Sequence, residues 1–297
     1  MGQRKHGRLQ LLLHSSGIFK ATFDTRNIAA GSSDSFSLSL PRFTWLNTYN
    51  ATIAWGDGTT STVTYGNDPD FDHTYAAEGV YQILITGIFP AMSFGPSNDK
   101  LKILSVDDWG NGDYYFVDNT TEHFQNCVNL TLSSVLGVPN LGNDMSSMFT
   151  GCAGLTTINN VNQWDTSGVT QRMSQTFYQA TNFNDDLNNW DVSNVIDFGV
   201  MFGSTASFNG NINGWVFKAG ANMGSMFNGA TAFNQDISSW DLSLITSQDL
   251  AGMFSNATSF NQDLSGWCVT NITSEPSSFS IGATAWVLPK PVWGTCP

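Results

Sequence analysis

The sequence predicts a mainly β protein in two parts: a β-sandwich over residues 18–105, and a solenoid of about 25-residue repeats over residues 106–275. Three observations predict it. Short runs of alternating apolar residues, separated by turn signals, fill the first third of the chain. Aromatic residues recur in register through the rest. The composition is 12% charged and 13% aromatic, with polarity drawn from Asn, Ser, Thr and Gly; exterior β-rich proteins look like this and helical cytosolic enzymes seldom do. A tail (1–17) precedes these parts and a cap (276–297) follows them.

The tail carries Arg4, Lys5 and Arg8, then Leu9-Gln-Leu-Leu-Leu13. That apolar stretch is shorter than the core of a secretory signal, and no small-residue cleavage site follows it. An exterior composition without an export signal leaves three settings: a fragment, another export route, or release by lysis within a virus particle. In residues 18–105 the strand-like runs are Phe19–Phe23, Phe36–Leu40, Ala51–Trp55, Ser61–Tyr65 and Val80–Thr86. Gly56-Asp-Gly58 is a hairpin signal between the third and fourth.

The clearest repeats are Asn222-Met-Gly-Ser-Met-Phe-Asn-Gly-Ala-Thr-Ala-Phe-Asn-Gln-Asp-Ile-Ser-Ser-Trp-Asp241 and Asp249-Leu-Ala-Gly-Met-Phe-Ser-Asn-Ala-Thr-Ser-Phe-Asn-Gln-Asp-Leu-Ser-Gly-Trp-Cys268. One Phe column runs through Phe124, Phe149, Phe177, Phe202, Phe227 and Phe254, in steps of 25 to 28 residues. A second runs through Phe183, Phe208, Phe233 and Phe260, and a Trp column through Trp164, Trp190, Trp215, Trp240 and Trp267. A repeat of this length cannot bury its apolar side alone, so successive repeats are expected to stack. A short helical turn is expected around Met226-Phe227, and a short strand over 236–239 with Ile237 facing in. The pattern departs at Gly214-Trp-Val-Phe-Lys218.

Polar columns accompany the aromatic ones. Asn184, Asn209, Asn234 and Asn261 follow the second Phe and are expected to face inward and bond the neighbouring backbone. Asp186, Asn211, Asp236 and Asp263, with Asn188, Asn213, Ser238 and Ser265, are expected to form an exposed strip. The strip is read either as a surface for a ligand or cation, or as simple solvation. Cys127 and Cys152 share a column with Ala180, Thr205, Ala230 and Ala257, which reads as small interior filling, with an inter-repeat disulfide as the alternative. Cys268 and Cys296 flank the last segment, where a disulfide would staple the cap to the last repeat.

Two resemblances follow from these residues. Trp55-Gly-Asp-Gly-Thr59 with His73-Thr-Tyr75 and Gly79-Val-Tyr81 resembles the PKD domain, over about residues 18–90. That implies an immunoglobulin-like sandwich in which Trp55, Asp57, His73 and Tyr75 maintain the fold. The repeats, over about residues 120–275, resemble BspA-like leucine-rich surface-protein repeats. That implies a leucine-rich-repeat-like solenoid with a short parallel sheet and short helices, and a role in adhesion. Such proteins occur on bacterial surfaces, and similar PKD-plus-repeat proteins in marine bacteriophages.

No catalytic motif is present: no His-Glu-x-x-His, no Gly-x-Ser-x-Gly, no phosphate-binding loop. The column Trp are read as core; Trp286 and Trp293, in the cap, are open to a stacking role. Residues 103–297 hold sixteen acids and three bases, so nucleic acid is not an expected partner. No apolar run is long enough for membrane insertion. Neither catalysis nor a cofactor or metal is expected. Taken with the missing export signal, the resemblance implies first a bacteriophage virion protein, a head decoration or fibre at the virion surface. Its N-terminal part, with the basic tail, would contact other virion proteins, and its acidic repeats a host-surface glycan or protein, as a monomer or homo-oligomer. The alternatives are a secreted bacterial surface adhesin, extracellular or on the cell surface, and an accessory binding module of a secreted hydrolase.

Overall fold

The computed structural model describes residues 17–110 and 114–297. The basic tail, with Arg4, Lys5 and Arg8, lies outside the described residues. The chain is mainly β, with antiparallel sheets. Its strands are β1 (Phe19–Asp24), β2 (Ser37–Ser39), β3 (Asn50–Ala54), β4 (Thr60–Val63), β5 (Asp72–Thr74), β6 (Val80–Pro90), β7 (Ile103–Asp108) and β8 (Tyr114–Tyr115). The large sheet has the order β4-β3-β6-β1-β7, with β8 joined to β6, and β2 pairs with β5 in a separate ladder. Pairing is antiparallel except between β6 and β8.

The longer strands form where apolar residues alternate. In β1, Phe19, Ala21 and Phe23 are buried and the residues between them half-buried. The β3–β4 hairpin turns at Gly56 and Gly58, both with positive φ; a Cβ at Gly56 would come within 2.7 Å of the Gln82 carbonyl oxygen. Leu38, Phe71 and Tyr75 on one side share a core with Phe23, Ile53, Ile83 and Ile85 on the other.

That core does not stop at the repeats. A single buried cluster runs from Phe19 to Trp286. The segment after β6 bonds β8 through Ala91 N to Tyr115 O (2.9 Å) and the first repeat through Phe94 N to His123 O (2.9 Å). The β7 strand bonds it through Thr131 N to Leu104 O (2.8 Å) and Leu136 N to Asp107 O (2.9 Å). The sheet edge therefore stands where a preceding repeat would stand and covers the first repeat's apolar side. The expected division after residue 105 falls inside β7.

The repeat region contains little regular secondary structure. Only two 3-10 turns, Val161–Gln163 and Gln248–Leu250, are found among its described residues. The turn expected to be helical around Met226-Phe227 is not a helix. Left-handed residues bracket it, Ser225 (φ 55°) and Gly229 (φ 72°), and the same pair recurs at Ser147/Gly151, Gln175/Gln179, Val200/Ser204, Gly252/Asn256 and Ser278/Gly282. Two such residues four apart break a right-handed helix. They turn alternate amides toward the next repeat instead: Ser225 N bonds Ala251 O (2.8 Å), Phe227 N bonds Met253 O (2.9 Å) and Gly229 N bonds Ser255 O (2.8 Å). A non-glycine residue in this region costs about 1–2 kcal/mol. Tertiary hydrogen bonds offset that cost even at β-branched Val200, whose N–H reaches Gly224 O at 2.9 Å.

The strand expected over 236–239 does not form either. Asp236 bends its own chain by accepting the Ser238 amide at 2.9 Å. Parallel pairing appears elsewhere, as single bridges Arg172–Asp197 and Asp197–Asn222.

The aromatic columns stack as the register predicts. Rings of the first Phe column follow one another at 5.6–5.7 Å between centroids, nearly parallel. Within a repeat the two Phe rings lie closer still, at 3.9 Å for Phe227 and Phe233. The Trp column stacks at 6.1 Å for Trp164–Trp190 and 6.4 Å for Trp240–Trp267. It is interrupted where the pattern departs: Phe217 packs edge-on against Trp240 at 4.7 Å, beside Trp215. Burying each Phe stabilises by about 1.5–3 kcal/mol, and ring geometry adds roughly 0.5–1.5 kcal/mol per pair.

Candidate functional site

In the sheet part, Trp55, Asp57, His73 and Tyr75 form one cluster. The Asp57 carboxylate accepts from Thr59 N (2.9 Å) and Oγ1 (2.6 Å), closing the hairpin, and its other oxygen lies 2.8 Å from His73 Nε2. The His73 ring stacks on buried Trp55 at 4.7 Å and meets Tyr75 edge-on. The Tyr75 hydroxyl donates to Trp55 O at 3.1 Å. Burial resists ionisation of Asp57, but hydrogen bonds from Thr59 and His73 outweigh it and hold the carboxyl well below its usual range. The Asp57 and Tyr75 bonds are thus directed at the hairpin and its flanking strand.

In the repeat part, the strip residues Asp186, Asn211, Asn213, Asp236, Ser238 and Asp263 are exposed, and Asn188 and Ser265 half-buried. Their polar atoms are partly spent on the backbone. Asp186 Oδ1 accepts Asn211 N (2.8 Å) and Asn188 Oδ1 accepts Gly214 N (2.7 Å), so in the earlier repeats the strip joins one repeat to the next. In later repeats it closes its own turns: Asn211 Oδ1 accepts Asn213 N (3.0 Å), and Asp263 Oδ1 accepts Ser265 N (2.9 Å) and Oγ (2.7 Å). Asn213 also accepts the Ser239 hydroxyl. Hydrogen bonds from Ser238 and Ser265 lower the pKa of Asp236 and Asp263, so both are ionised at neutral pH. No group of three or more His, Cys, Asp or Glu positioned to hold a metal occurs among the described residues.

The Asn column lies at the surface, not inward as its place beside the second Phe suggests: Asn184 and Asn234 are exposed, Asn209 and Asn261 half-buried. Its bonding is nonetheless repeated. Each side-chain carbonyl accepts the backbone N–H of the next column residue at 2.8 Å: Asn184 from Asn209, Asn209 from Asn234, Asn234 from Asn261. Asn261 accepts from Val287 and Leu288 in the cap. The buried Trp indoles do the same inside: Trp190, Trp215, Trp240 and Trp267 donate to the carbonyls of Val161, Leu187, Ile212 and Ile237 one repeat back.

Cys268 and Cys296 form a disulfide, and Cys127 and Cys152 are free and buried. Cys152 Sγ donates to Phe124 O at 3.0 Å, as Thr205 Oγ1 does to Phe177 O at 2.6 Å, so these two members of the column bond alike. Burial pushes both thiols up, away from thiolate reactivity. Trp286 is 8% exposed; its indole donates to Gln262 O and its ring ends the second aromatic column edge-on against Phe260 at 4.8 Å. Trp293 is half-buried against Phe279.

Two polar sets escaped the sequence reading. Five residues before the column Phe from Phe149 onward lie Asp144, Arg172, Asp197, Asn222 and Asp249. There the Arg172 guanidinium clamps buried Asp144 (2.8 and 2.9 Å), and Asn222 Nδ2 donates to Asp197 Oδ1 (2.7 Å). That column was readable from its spacing. Buried Lys102 was not. Its ammonium donates to Ser33 Oγ (2.6 Å), Asp34 O (2.9 Å) and Ser37 O (2.8 Å) beside Asp99 at 3.3 Å.

No helix of the described residues is long and apolar enough to cross a membrane. No curated protein and no solved structure matches the chain. The repeat region is similar to the family described as "Mycoplasma protein of unknown function, DUF285", whose model matches residues 143–267 and 221–286.

Proposed function

We propose that the chain is a non-catalytic surface protein in which an immunoglobulin-like sandwich carries a leucine-rich-repeat-like solenoid, and that the solenoid presents its acidic, amide-rich face to a host glycan or protein. The observation that carries this reading is the commitment of the repeated polar groups. The Asn column, the Trp indoles and the Cys152/Thr205 positions all bond neighbouring repeats. Groups so engaged build a rigid scaffold, while the strip carboxylates Asp186, Asp236 and Asp263 stand exposed. The excess of acids over bases in this half keeps such a face soluble and repels nucleic acid.

The first setting is the surface of a bacteriophage particle, with the sheet part against other virion proteins and the protein acting as a decoration or fibre. The second is a bacterial cell surface. It is supported by the similarity to a family described from Mycoplasma and by the occurrence of such domains in BspA-like proteins. Mass spectrometry separates them. On purified particles the first setting requires the protein at stoichiometric copy number. Its absence from particles, with release of its peptides by protease treatment of intact cells, would replace the first setting with the second; absence from both would overturn the surface reading.

A further inference from the structure

The backbone ladder that joins the repeats is directional. At six successive repeats, alternate amides donate forward to the next. Glu122, Phe124 and Asn126 N reach Ser146, Met148 and Thr150 O at the first, and Gly252, Phe254 and Asn256 N reach Ser277, Phe279 and Ile281 O at the last. The carbonyls of each repeat face the repeat behind it. At the front of the stack that acceptor edge is covered by the sheet part, through Phe94 N to His123 O (2.9 Å) and Gly95 N to Glu122 O (3.1 Å). At the rear the pattern arrives at Ser278, Ser280 and Gly282, where left-handed Ser278 (φ 56°) and Gly282 (φ 78°) keep the same turn. These three amides meet no acceptor among the described residues. Ser278 is exposed, and Ser280 and Gly282 are half-buried.

The cap closes the core but not this edge. Phe279 meets Phe254 edge-on at 5.3 Å and Trp286 meets Phe260 edge-on at 4.8 Å, so parallel stacking ends there. In the same segment Ile281, Val287, Leu288 and Val292 are exposed, Val287 to 84%. A row of unpaired donors beside apolar side chains is a template for another extended segment.

The repeats of a second copy cannot supply the acceptors, because each carbonyl edge is already taken by the repeat before it or by the sheet part. Residues 1–16, outside the described residues, have the matching chemistry. Leu9-Gln-Leu-Leu-Leu13 is apolar, and in an extended segment alternate carbonyls point along one edge. Arg4, Lys5 and Arg8 complement the sixteen acids and three bases of residues 103–297. Chain length decides which copy supplies the segment. Gly17 lies at the sheet end, against Gly110. Six ladder steps of about 4.8 Å, roughly 29 Å, separate the first repeat from the cap. From Gly17 an extended chain carries Leu13 at most about 14 Å and Leu9 about 28 Å, so the segment cannot lie along its own cap.

We propose that residues 9–13 of one copy dock along Ser278–Gly282 of another, so that copies associate head to tail. The contact is heterologous, and each docked copy leaves a tail and an open edge for the next. It adds a second copy as partner and does not depend on what the acidic face binds.

The experiment is light scattering of the intact, disulfide-bonded chain over a range of concentrations, with hydrogen exchange read at the amides of Ser278, Ser280 and Gly282. The mass should rise past that of a dimer with concentration and fall in high salt, and the three amides should become protected as it rises. Deleting residues 1–16 should give a monomer with those amides unprotected and, in dilute solution, the parent's melting temperature. A synthetic peptide of residues 1–16 should then bind the shortened chain, and Ile281→Asp should weaken that binding about tenfold. A parent chain that stays monomeric at every concentration, association that survives the deletion, exchange at the three amides that is the same with and without residues 1–16, or full peptide affinity in Ile281→Asp would each overturn the proposal. None of these outcomes bears on the particle and cell-surface measurements.

Discussion

The sheet part and the repeat part share one continuous core but are held together differently. In the sheet part the decisive contacts are single and distant in sequence: Thr22 to Asp107 spans 85 residues and Ser33 to Asp99 spans 66. In the repeat part the same contact is made again and again at a separation of about one repeat, as in the Asn column at 25 to 27 residues. The first arrangement concentrates stability in a few irreplaceable pairs, such as Lys102 with Asp99. The second distributes it along columns, where each member touches only its neighbours. The junction belongs to both, because the sheet edge caps the first repeat through backbone bonds and through His123.

The comparison breaks most readily at the middle of a column. Phe227 touches the rings of Phe202, Phe233, Trp240 and Phe254. Phe227→Ala should cost about 4 kcal/mol in urea unfolding. Phe36→Ala, at a 44% exposed position in the sheet part, should cost little. Equal losses would mean that the columns do not carry the repeat part.

The junction gives the next largest effect, and it depends on pH. His123 is fully buried between Phe43 and Phe116, with its ring nitrogens near Met92 O (3.0 Å) and Thr120 Oγ1 (3.2 Å). Burial pushes its pKa down from 6.5 to about 4. The folded chain therefore holds the neutral ring, and the unfolded chain takes up the proton first. The stability this group contributes is complete above pH 6.5 and is lost as pH falls toward 4, by roughly 3 kcal/mol in full. Unfolding measured near pH 7 and near pH 4 should show this loss in the parent, and a smaller one in His123→Gln. An identical pH profile for the two would remove His123 from the account.

The smallest effect lies on the surface of the repeats. Asn234→Ala deletes the acceptor of the Asn261 amide, which water can then reach, and should cost about 1 kcal/mol. A loss as large as that of Phe227→Ala would show that the polar column, not the aromatic one, sets the spacing of the repeats.

Much of this was legible beforehand because it is repeated. A column of Phe, Trp or Asn records the same environment several times, so its period survives local variation; even the break at Gly214–Lys218 marked where Phe217 enters the Trp column. Strands β1 to β4 and β6 were legible from their alternation, but β5, β7 and β8 were not. Single contacts leave no such trace. Nothing in Lys100-Leu-Lys-Ile103 distinguishes buried Lys102 from half-buried Lys100, and nothing joins Ser33 to Asp99 before the fold brings their segments together.

By itself, then, the sequence determined the period, the aromatic columns, the hairpin at Gly56–Gly58 and the segregation of acids into the second half. Tertiary structure alone decided that the Met-Phe segment turns through left-handed residues and forms no helix. The local preferences of Ser, Met, Phe and Asn permit either conformation. The choice falls to carbonyl acceptors one repeat away, which exist only once the repeats have stacked.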